Sequence, residues 1–236
     1  LEGMRALTSE FVWLTDADAI LPDQLPAALP DADLIILPLR MRAASEKPSL
    51  LERLQLLEYD AIQALTMREA RRGKAVMCAG ANLIVRRSAW LECAEDIRMD
   101  IPSGDDMFIL EAMKKRGKRV VAGDPAWAAT LTAVPEWRAF LRQRMRWAGK
   151  APAFRDRDIL RRGLLTALSN LLVVLLPGWF FVKWIADMLL ISRHRKEMAL
   201  PPVGWKGWGL GAILTLLYPF YMLLCLVGGL FRRHSW

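Results

Sequence analysis

Three clusters of polar side chains in the sequence could carry chemistry, and the first is Asp16-Ala17-Asp18. These carboxylates directly follow the apolar segment 11–15, which is expected to form a buried strand. Open α/β sheets bind ligands beyond the carboxyl ends of their strands. A carboxylate pair at that place can hold Mg²⁺ or Mn²⁺, which often bridge to substrate phosphates. The alternative is a turn, where aspartate is favoured for local hydrogen bonding. Asp31-Ala32-Asp33 repeats the letters but precedes its strand, and is interpreted as a loop and strand flank.

The second cluster is Asp105-Asp106, which follows Ser103-Gly104 and begins a predicted helix over 105–116. A carboxylate here could act as a general base that removes a proton from an acceptor hydroxyl. Alternatively, Ser103 caps the helix, with Asp106 three residues further on, because acidic residues are favoured at helix starts. The two interpretations are compatible, since a capping acid can also be catalytic.

The third cluster is Gln143, Arg146 and Trp147 on a predicted helix over 136–149. Residues at i, i+3 and i+4 share one face of a helix, so an amide, a guanidinium and an indole are expected side by side. Together they could grip a diphosphate and stack on a sugar. The alternative is a solvated basic helix with one packed tryptophan. A predicted apolar stripe on the same helix consists of Trp137, Phe140, Leu141, Met145 and Ala148.

Cysteine and histidine are too few to build other kinds of site. Cys78, Cys93 and Cys225 are odd in number and widely spaced, which argues against a disulfide framework or a zinc knuckle. His194 and His234, both in basic stretches, are the only histidines. Histidine metal sites, Ser-His-Asp triads and Cys-His dyads are therefore not expected, and carboxylates must carry any chemistry.

The elements that must position these clusters alternate between strands and helices. Apolar runs predict strands at 11–15, 34–38, 83–85 and 119–122, and a Gly80-Ala81-Asn82 turn precedes the third of them. Helices are predicted over 49–66, from about Ser88, and over 105–116, where Gly117 is a stop signal. This alternation predicts an α/β sheet with helices on its faces. The helix at 49–66 is predicted to be amphipathic, with apolar positions at Leu50, Leu54, Leu57, Ala61 and Leu65.

The C-terminal part of the sequence has the composition of a membrane domain. Residues 207–231 contain no charge and are long enough to cross a bilayer. Residues 164–192 are nearly as apolar but include Pro177-Gly178 and the i, i+4 pair Lys183 and Asp187, which can neutralise each other. This stretch could be one kinked span or a hairpin of two, so two to three transmembrane helices are predicted. The predicted domains are residues 1–150 and 151–236.

Positive charge is concentrated just before the apolar tail. The net charge is +8, and residues 136–162 hold nine Lys and Arg against three acids. Such a block is typical of the cytoplasmic flank of a membrane helix and also suits an anionic ligand such as a diphosphate. The tail argues against nucleic acid as the partner. Basic residues flank every candidate span, so charge does not decide the topology.

The order of these motifs resembles that of the family 2 glycosyltransferases, which include cellulose, chitin and hyaluronan synthases. Asp-Ala-Asp is followed by Gly-Ala-Asn-Leu-Ile-Val-Arg-Arg at 80–87, by Ser-Gly-Asp-Asp-Met-Phe-Ile-Leu at 103–110, by Gln-Arg-Met-Arg-Trp at 143–147, and by apolar helices. The last motif fits the family's Q-x-x-R-W pattern and is the most specific. The resemblance covers residues 10–150 and implies a partial GT-A (Rossmann-like) α/β domain followed by transmembrane helices.

By this resemblance, four acidic residues receive roles. Asp16 and Asp18 look like the D-x-D pair that holds a divalent metal (Mg or Mn) and the nucleotide diphosphate. Asp106 looks like the catalytic base. Asp105 stands where the family's T-E-D motif has glutamate, a conservative departure that leaves the role of Asp106 intact.

The remaining matches concern substrate binding. Gly80 and Asn82 look like part of a turn that lines the acceptor site. Gln143, Arg146 and Trp147 look like the element that closes over the donor diphosphate and the end of the acceptor.

The function expected is that of a membrane-bound inverting glycosyltransferase, which moves a sugar from a UDP- or GDP-sugar to a polysaccharide or lipid acceptor. A multi-pass inner-membrane protein with a cytoplasmic catalytic domain is expected. In the family, a base-binding strand and a further aspartate precede D-x-D, whereas Leu1 lies about ten residues before the first strand, so an N-terminal truncation is expected. Two alternatives stay open, namely single-sugar addition to a lipid and a non-catalytic membrane-anchored α/β scaffold or inactive fragment.

Overall fold

The computed structural model describes residues 2–24, 28–98, 101 and 104–231. The helices in chain order are α1 (Glu2–Ala6), α2 (Leu50–Arg71), α3 (Arg87–Cys93), α4 (Asp105–Lys115), α5 (Trp137–Ala148), α6 (Arg157–Leu175), α7 (Pro177–Glu197) and α8 (Trp205–Phe231). The strands are β1 (Phe11–Leu14), β2 (Leu34–Ile36), β3 (Leu39–Arg42), β4 (Leu83–Arg86), β5 (Val120–Ala122) and β6 (Ala129–Thr132).

The chain divides into two compact units that interleave in sequence. The first unit contains Leu1–Arg40, Thr66–Leu131 and Phe154–Ile159, and the second contains Met41–Leu65, Thr132–Ala153 and Leu160–Trp236. These units are defined by their compactness in space, whereas the predicted boundary at residue 150 separates two domains along the sequence. The boundary therefore stays a prediction. Each unit is described by itself below.

A sheet in the order β1-β4-β2-β5 organises the first unit. Each of these strands coincides with a predicted apolar segment to within two residues at either end, so the four strand predictions are confirmed. Strand β4 is antiparallel to β1 and β2, and β2 is parallel to β5. Strand β2 is fully buried, and its Ile35 packs with Leu37, Ile84 and Ala32 in the core.

The strand register defines two ends of this sheet. Leu14, Leu83, Ile36 and Ala122 are aligned at one end, here called the Leu14 end, where β1, β2 and β5 finish and β4 begins. At the other end, here called the Phe11 end, Phe11 is opposite Arg86, and Leu34 is opposite both Val85 and Val120. Residues that follow β1, β2 or β5, or precede β4, therefore leave the sheet on the same side.

The part of α2 that belongs to the second unit is buried on nearly all sides, so the predicted amphipathic pattern is wrong. Leu50, expected on the apolar face, is exposed, while Glu52, Gln55, Glu58 and Asp60 are buried. Polar groups tolerate burial when their hydrogen bonds are satisfied, and each of these side chains has partners elsewhere in the unit. Their partner residues are Ala44 and Ser49 for Glu52, Val134 for Gln55, Arg144 for Glu58 and Arg195 for Asp60.

Helices α5 and α8 of the second unit approach closely enough for their backbones to touch. A Cβ built on Gly229 would lie 2.5 Å from the carbonyl oxygen of Met145, and one on Gly149 would lie 2.9 Å from the carbonyl oxygen of Gly229. Neither glycine can be replaced by a larger residue without displacing backbone. The helix that carries Gln143 and Trp147 is thus in direct backbone contact with the most apolar helix of the chain.

The apolar stretch 164–192 lies in two helices. Helix α6 ends at Leu175, Leu176 has extended dihedral angles, and Pro177 occupies the first turn of α7, a position that proline favours. Lys183 and Asp187 form the predicted ion pair on α7. Within the described part of the chain, α8 is the one helix whose length and composition suit a membrane span. A second span within 164–192 stays a prediction.

Candidate active site

Asp16 and Asp18 lie in an exposed turn that leaves the Leu14 end of the sheet. The turn is closed by a hydrogen bond from the backbone N–H of Ala19 to the carbonyl of Asp16, 3.1 Å. One residue later the chain is held again, because Ile20 exchanges two backbone hydrogen bonds with Thr130, at 2.8 and 2.9 Å. Both carboxylates are therefore carried by a loop that is anchored on each side and open to solvent.

Asn82 fixes three chain segments together at the Leu14 end. Its side chain is fully buried, with 0% exposure. Its carbonyl oxygen accepts a hydrogen bond from the indole of Trp13 at 2.8 Å, and its amide donates to the carbonyls of Pro38 at 2.8 Å and Trp127 at 2.9 Å. The prediction that Asn82 helps to form the acceptor-site turn stays a prediction, and the structure shows that its buried side chain holds the neighbouring segments together.

Gly80 and Asp106 are brought into direct contact. The backbone N–H of Gly80 donates to Oδ2 of Asp106 at 3.3 Å, and the backbone N–H of Met107 donates to Oδ1 at 2.7 Å. Asp106 lies at the start of α4, where free N–H groups and the helix dipole stabilise a negative charge. These hydrogen bonds fix the orientation of the Asp106 carboxylate at the start of α4.

The start of α4 differs from the predicted cap. The residue before the helix is Gly104, with a left-handed φ of 96°, and it offers no side chain to the helix. Ser103, the predicted cap, lies outside the described residues. Asp105 is exposed at the first position of the helix, and Asp106 is partly buried beside it. The helix ends as predicted, with Gly117 at a φ of 65°.

Cys78 is a neighbour of this site that the sequence analysis did not single out. Its thiol donates to the backbone carbonyl of Asp106 at 3.1 Å. Burial raises the pKa of the Cys78 thiol well above its ordinary value, and the charges of Asp106 and Asp105 raise it further. The thiol therefore stays protonated and holds the first turn of α4. The sequence signal for this role was the position of Cys78, two residues before Gly80.

The chemistry of the carboxylates fits a hard divalent cation. No group of three or more His, Cys, Asp or Glu side chains suited to a metal occurs within residues 2–24, 28–98, 101 and 104–231. Mg²⁺ and Mn²⁺ need fewer protein ligands than that when substrate phosphates and waters complete their shell. Asp16 and Asp18 supply exposed oxygen ligands of the required type.

The second Asp-Ala-Asp sequence lies at the Phe11 end of the same sheet. Arg86 binds Asp31 at 3.0 Å, and its side chain also pairs with Glu10. Asp33 accepts the backbone N–H of Arg119 at 2.8 Å. The prediction of a loop and strand flank is confirmed, because these carboxylates are tied to basic groups that hold the strand starts together.

In the second unit, Gln143, Arg146 and Trp147 lie on α5 as predicted. Gln143 and Arg146 are partly buried, and the indole of Trp147 is 37% exposed. The predicted apolar stripe is wrong at Trp137, which is 54% exposed, and the buried face also includes Arg144, which was not predicted. An arginine at the centre of an apolar face was the signal for a buried acidic partner, which the structure shows to be Glu58.

A family model described as "Glycosyltransferase like family 2" matches residues 1–150. The chain belongs to this family. Members of the family transfer a sugar from a nucleotide-sugar donor to an acceptor, so the protein is a glycosyltransferase. The family does not specify which donor or which acceptor. A search of curated proteins gave no match.

The matched segment of this glycosyltransferase contains every candidate residue described above. It includes the Asp16 turn, the contact between Gly80 and Asp106, and all of α5. The family assignment therefore rests on the same part of the chain that carries the candidate site, and α8 lies beyond it.

Proposed function

We propose that the protein is a membrane-bound inverting glycosyltransferase that transfers a sugar from a UDP- or GDP-sugar to a glycan or lipid acceptor. The observation that carries this proposal is the carboxylate of Asp106, which is held by the N–H groups of Gly80 and Met107 at the start of α4. A carboxylate that is fixed in this way and only partly buried is suited to act as a general base.

The donor is held through its diphosphate. Asp16 and Asp18 would bind a divalent metal ion, Mg²⁺ or Mn²⁺, which neutralises charge on the leaving diphosphate when bound. Anchoring on both sides of the turn keeps the two carboxylates in place before the donor arrives. This preorganisation lowers the cost of ordering the loop on binding.

Asp106 then accepts the proton of the acceptor hydroxyl. The hydroxyl oxygen forms a bond to the anomeric carbon while the bond from that carbon to the diphosphate oxygen breaks, and the nucleoside diphosphate leaves with the electron pair. One displacement inverts the anomeric configuration and needs no covalent enzyme intermediate. The backbone of Gly80 lines the acceptor site, and the exposed carboxylate of Asp105 lies at its edge. Asn82 supports the site by holding the neighbouring chain segments together.

Three residues of α5 are proposed to bind the substrates as well. Arg146 and Gln143 contribute charge-assisted and neutral hydrogen bonds to the diphosphate, and Trp147 provides a flat wall for the acceptor sugar. Their positions on one face of α5 and their partial exposure support these roles.

We further propose a multi-pass protein of the inner membrane, related to the cellulose, chitin and hyaluronan synthases, with its catalytic domain in the cytoplasm. The length and apolar composition of α8 support membrane attachment. Nucleotide sugars are made in the cytoplasm, which places the donor site on that side. The backbone contact between α5 and α8 supports the proposal that the substrate-binding helix lies near the bilayer surface.

The test is Mn²⁺-dependent binding and hydrolysis of a panel of UDP- and GDP-sugars by the full chain in detergent. One donor should be turned over, and Asp18→Ala should abolish its binding. Asp31→Ala is the matched control, since it changes the same residue type at the Phe11 end, and it should leave donor binding unchanged. Sizing of the products then separates single addition from polymerisation.

Absence of binding to every donor by the folded protein would contradict the proposal. The chain would then be better described as a non-catalytic, membrane-anchored scaffold.

A further inference from the structure

A buried ion pair lies directly beneath the candidate substrate-binding residues of α5. Nη2 of Arg144 is 2.8 Å from Oε2 of Glu58, and Nε of Arg144 is 3.2 Å from the same oxygen. Both side chains are only 5% exposed. Glu58 lies on α2, so the pair fixes α5 against that helix inside the second unit.

The guanidinium of Arg144 also contacts two of the candidate residues. Its Nη1 donates to Oε1 of Gln143 at 3.0 Å. Its central carbon lies 4.2 Å from the ring centroid of Trp147 and 4.8 Å from that of Phe140. One planar group thus holds an amide by a hydrogen bond and an indole by a cation–π contact.

Stability alone does not account for this arrangement. A buried ion pair loses the hydration of two charges, and well-packed apolar residues of similar volume often stabilise a protein as much or more. The rigid fork of arginine, however, can bind a carboxylate and stack on an aromatic ring at the same time, which lysine cannot do. Glu58 cancels the charge of Arg144, so the pair orients its neighbours without adding net charge beneath them.

We propose that Glu58 and Arg144 are positioning residues that fix the side chains of Gln143 and Trp147 for binding of the donor and the acceptor. The inference rests on the proposed function for its kinetic consequence only. The geometric part, that Arg144 sets the environment of Trp147, is independent of it.

The decisive variant is Arg144→Lys, compared with Arg142→Lys on the exposed side of the same helix. Lysine keeps the charge opposite Glu58, whereas removal of either charge would leave its partner buried and unpaired and could prevent folding. With the donor that the panel identifies, Arg144→Lys should raise the donor KM about tenfold. Arg142→Lys should leave it unchanged.

A double-mutant cycle separates positioning from general structural damage. In a Gln143→Ala background, Arg144→Lys should raise the donor KM by a much smaller factor, because one of the two side chains that Arg144 positions is already absent. An equal increase in both backgrounds would overturn the inference.

A spectroscopic measurement needs no donor and no turnover. The protein is labelled with 5-fluorotryptophan, and the ¹⁹F resonance of Trp147 is identified by its loss in Trp147→Phe. Arg144→Lys should shift this resonance and leave the resonances of distant tryptophans in place. An unchanged Trp147 signal would overturn the inference even if the enzyme is active. Absence of turnover in the unaltered protein, together with the expected shift, would overturn the proposed function alone.

Discussion

The same three letters, Asp-Ala-Asp, occur at both ends of one sheet and have different surroundings. At the Leu14 end, Asp16 and Asp18 follow a strand and lie in an exposed, anchored turn. At the Phe11 end, Asp31 and Asp33 precede a strand and are bound by Arg86 and by the backbone of Arg119. The carboxylates at the Phe11 end neutralise protein cations, which suits a structural role. The letters of the motif do not distinguish the two surroundings, whereas its place relative to the strand does.

The largest effect is expected at the Leu14 end, for Asp106→Asn. Asparagine keeps the size of the side chain but cannot accept the proton, so kcat should fall by about 10²–10⁴-fold. Metal-dependent donor binding should be unchanged, because Asp16 and Asp18 are intact. The measurement is single-turnover transfer alongside donor binding by calorimetry. Near-normal transfer by this variant would show that Asp106 is not the base. The main proposed difference between the Leu14 end and the Phe11 end would then be lost.

A smaller effect, on stability, is expected for Asn82→Ala. The change leaves the indole of Trp13 and the carbonyls of Pro38 and Trp127 without their partner. Loss of these hydrogen bonds should lower the free energy of unfolding by about 2–4 kcal/mol. Denaturation of the two proteins side by side measures the difference. Asn82→Asp keeps the acceptor for Trp13 but turns a buried carboxylate towards the carbonyls of Pro38 and Trp127, so it should destabilise the protein at least as much as Asn82→Ala.

The smallest effect is expected at the Phe11 end, for Arg86→Gln. Arg86 joins Glu10 and Asp31 near the surface, and ion pairs of this kind contribute about 1 kcal/mol or less. Turnover per folded molecule should stay normal, as measured by active-site titration and steady-state kinetics. A marked loss of turnover would show that the Phe11 end also serves the reaction, and the contrast between the two ends would fail.

Much of the first unit could be predicted from the sequence. Segments 11–15, 34–38, 83–85 and 119–122 are short apolar runs, a pattern typical of strands. Strands β2 and β4 are buried as that pattern implies, whereas β1, which was expected to be buried, and β5 are only partly buried. The Gly80 turn and the stop at Gly117 were also predictable, because glycine has a clear local meaning at those positions. The contact between Gly80 and Asp106 was not, since 26 residues separate its partners in the chain.

The second unit was harder to predict, because its polar residues do not follow the rule that charge faces solvent. Glu58 and Arg144 occupy positions that a periodicity analysis assigns to solvent or to an apolar stripe. Their burial depends on a partner in another segment, 86 residues away, which no local pattern contains. Strands β3 and β6, which do not belong wholly to this unit, were also missed, since Leu39–Arg42 mixes apolar and basic residues and has no regular strand pattern.

The polar side chains of α2 have a consequence for how the second unit assembles. Gln55, Glu58 and Asp60 each need a partner from a different stretch of the chain, at Val134, Arg144 and Arg195. A helix that docked before these partners arrived would bury unpaired charge, at a cost of several kcal/mol for each ion. Partly assembled forms are therefore high in energy. We therefore expect the three stretches and α2 to come together and separate in one cooperative step, with few intermediates that expose the apolar helices to aggregation.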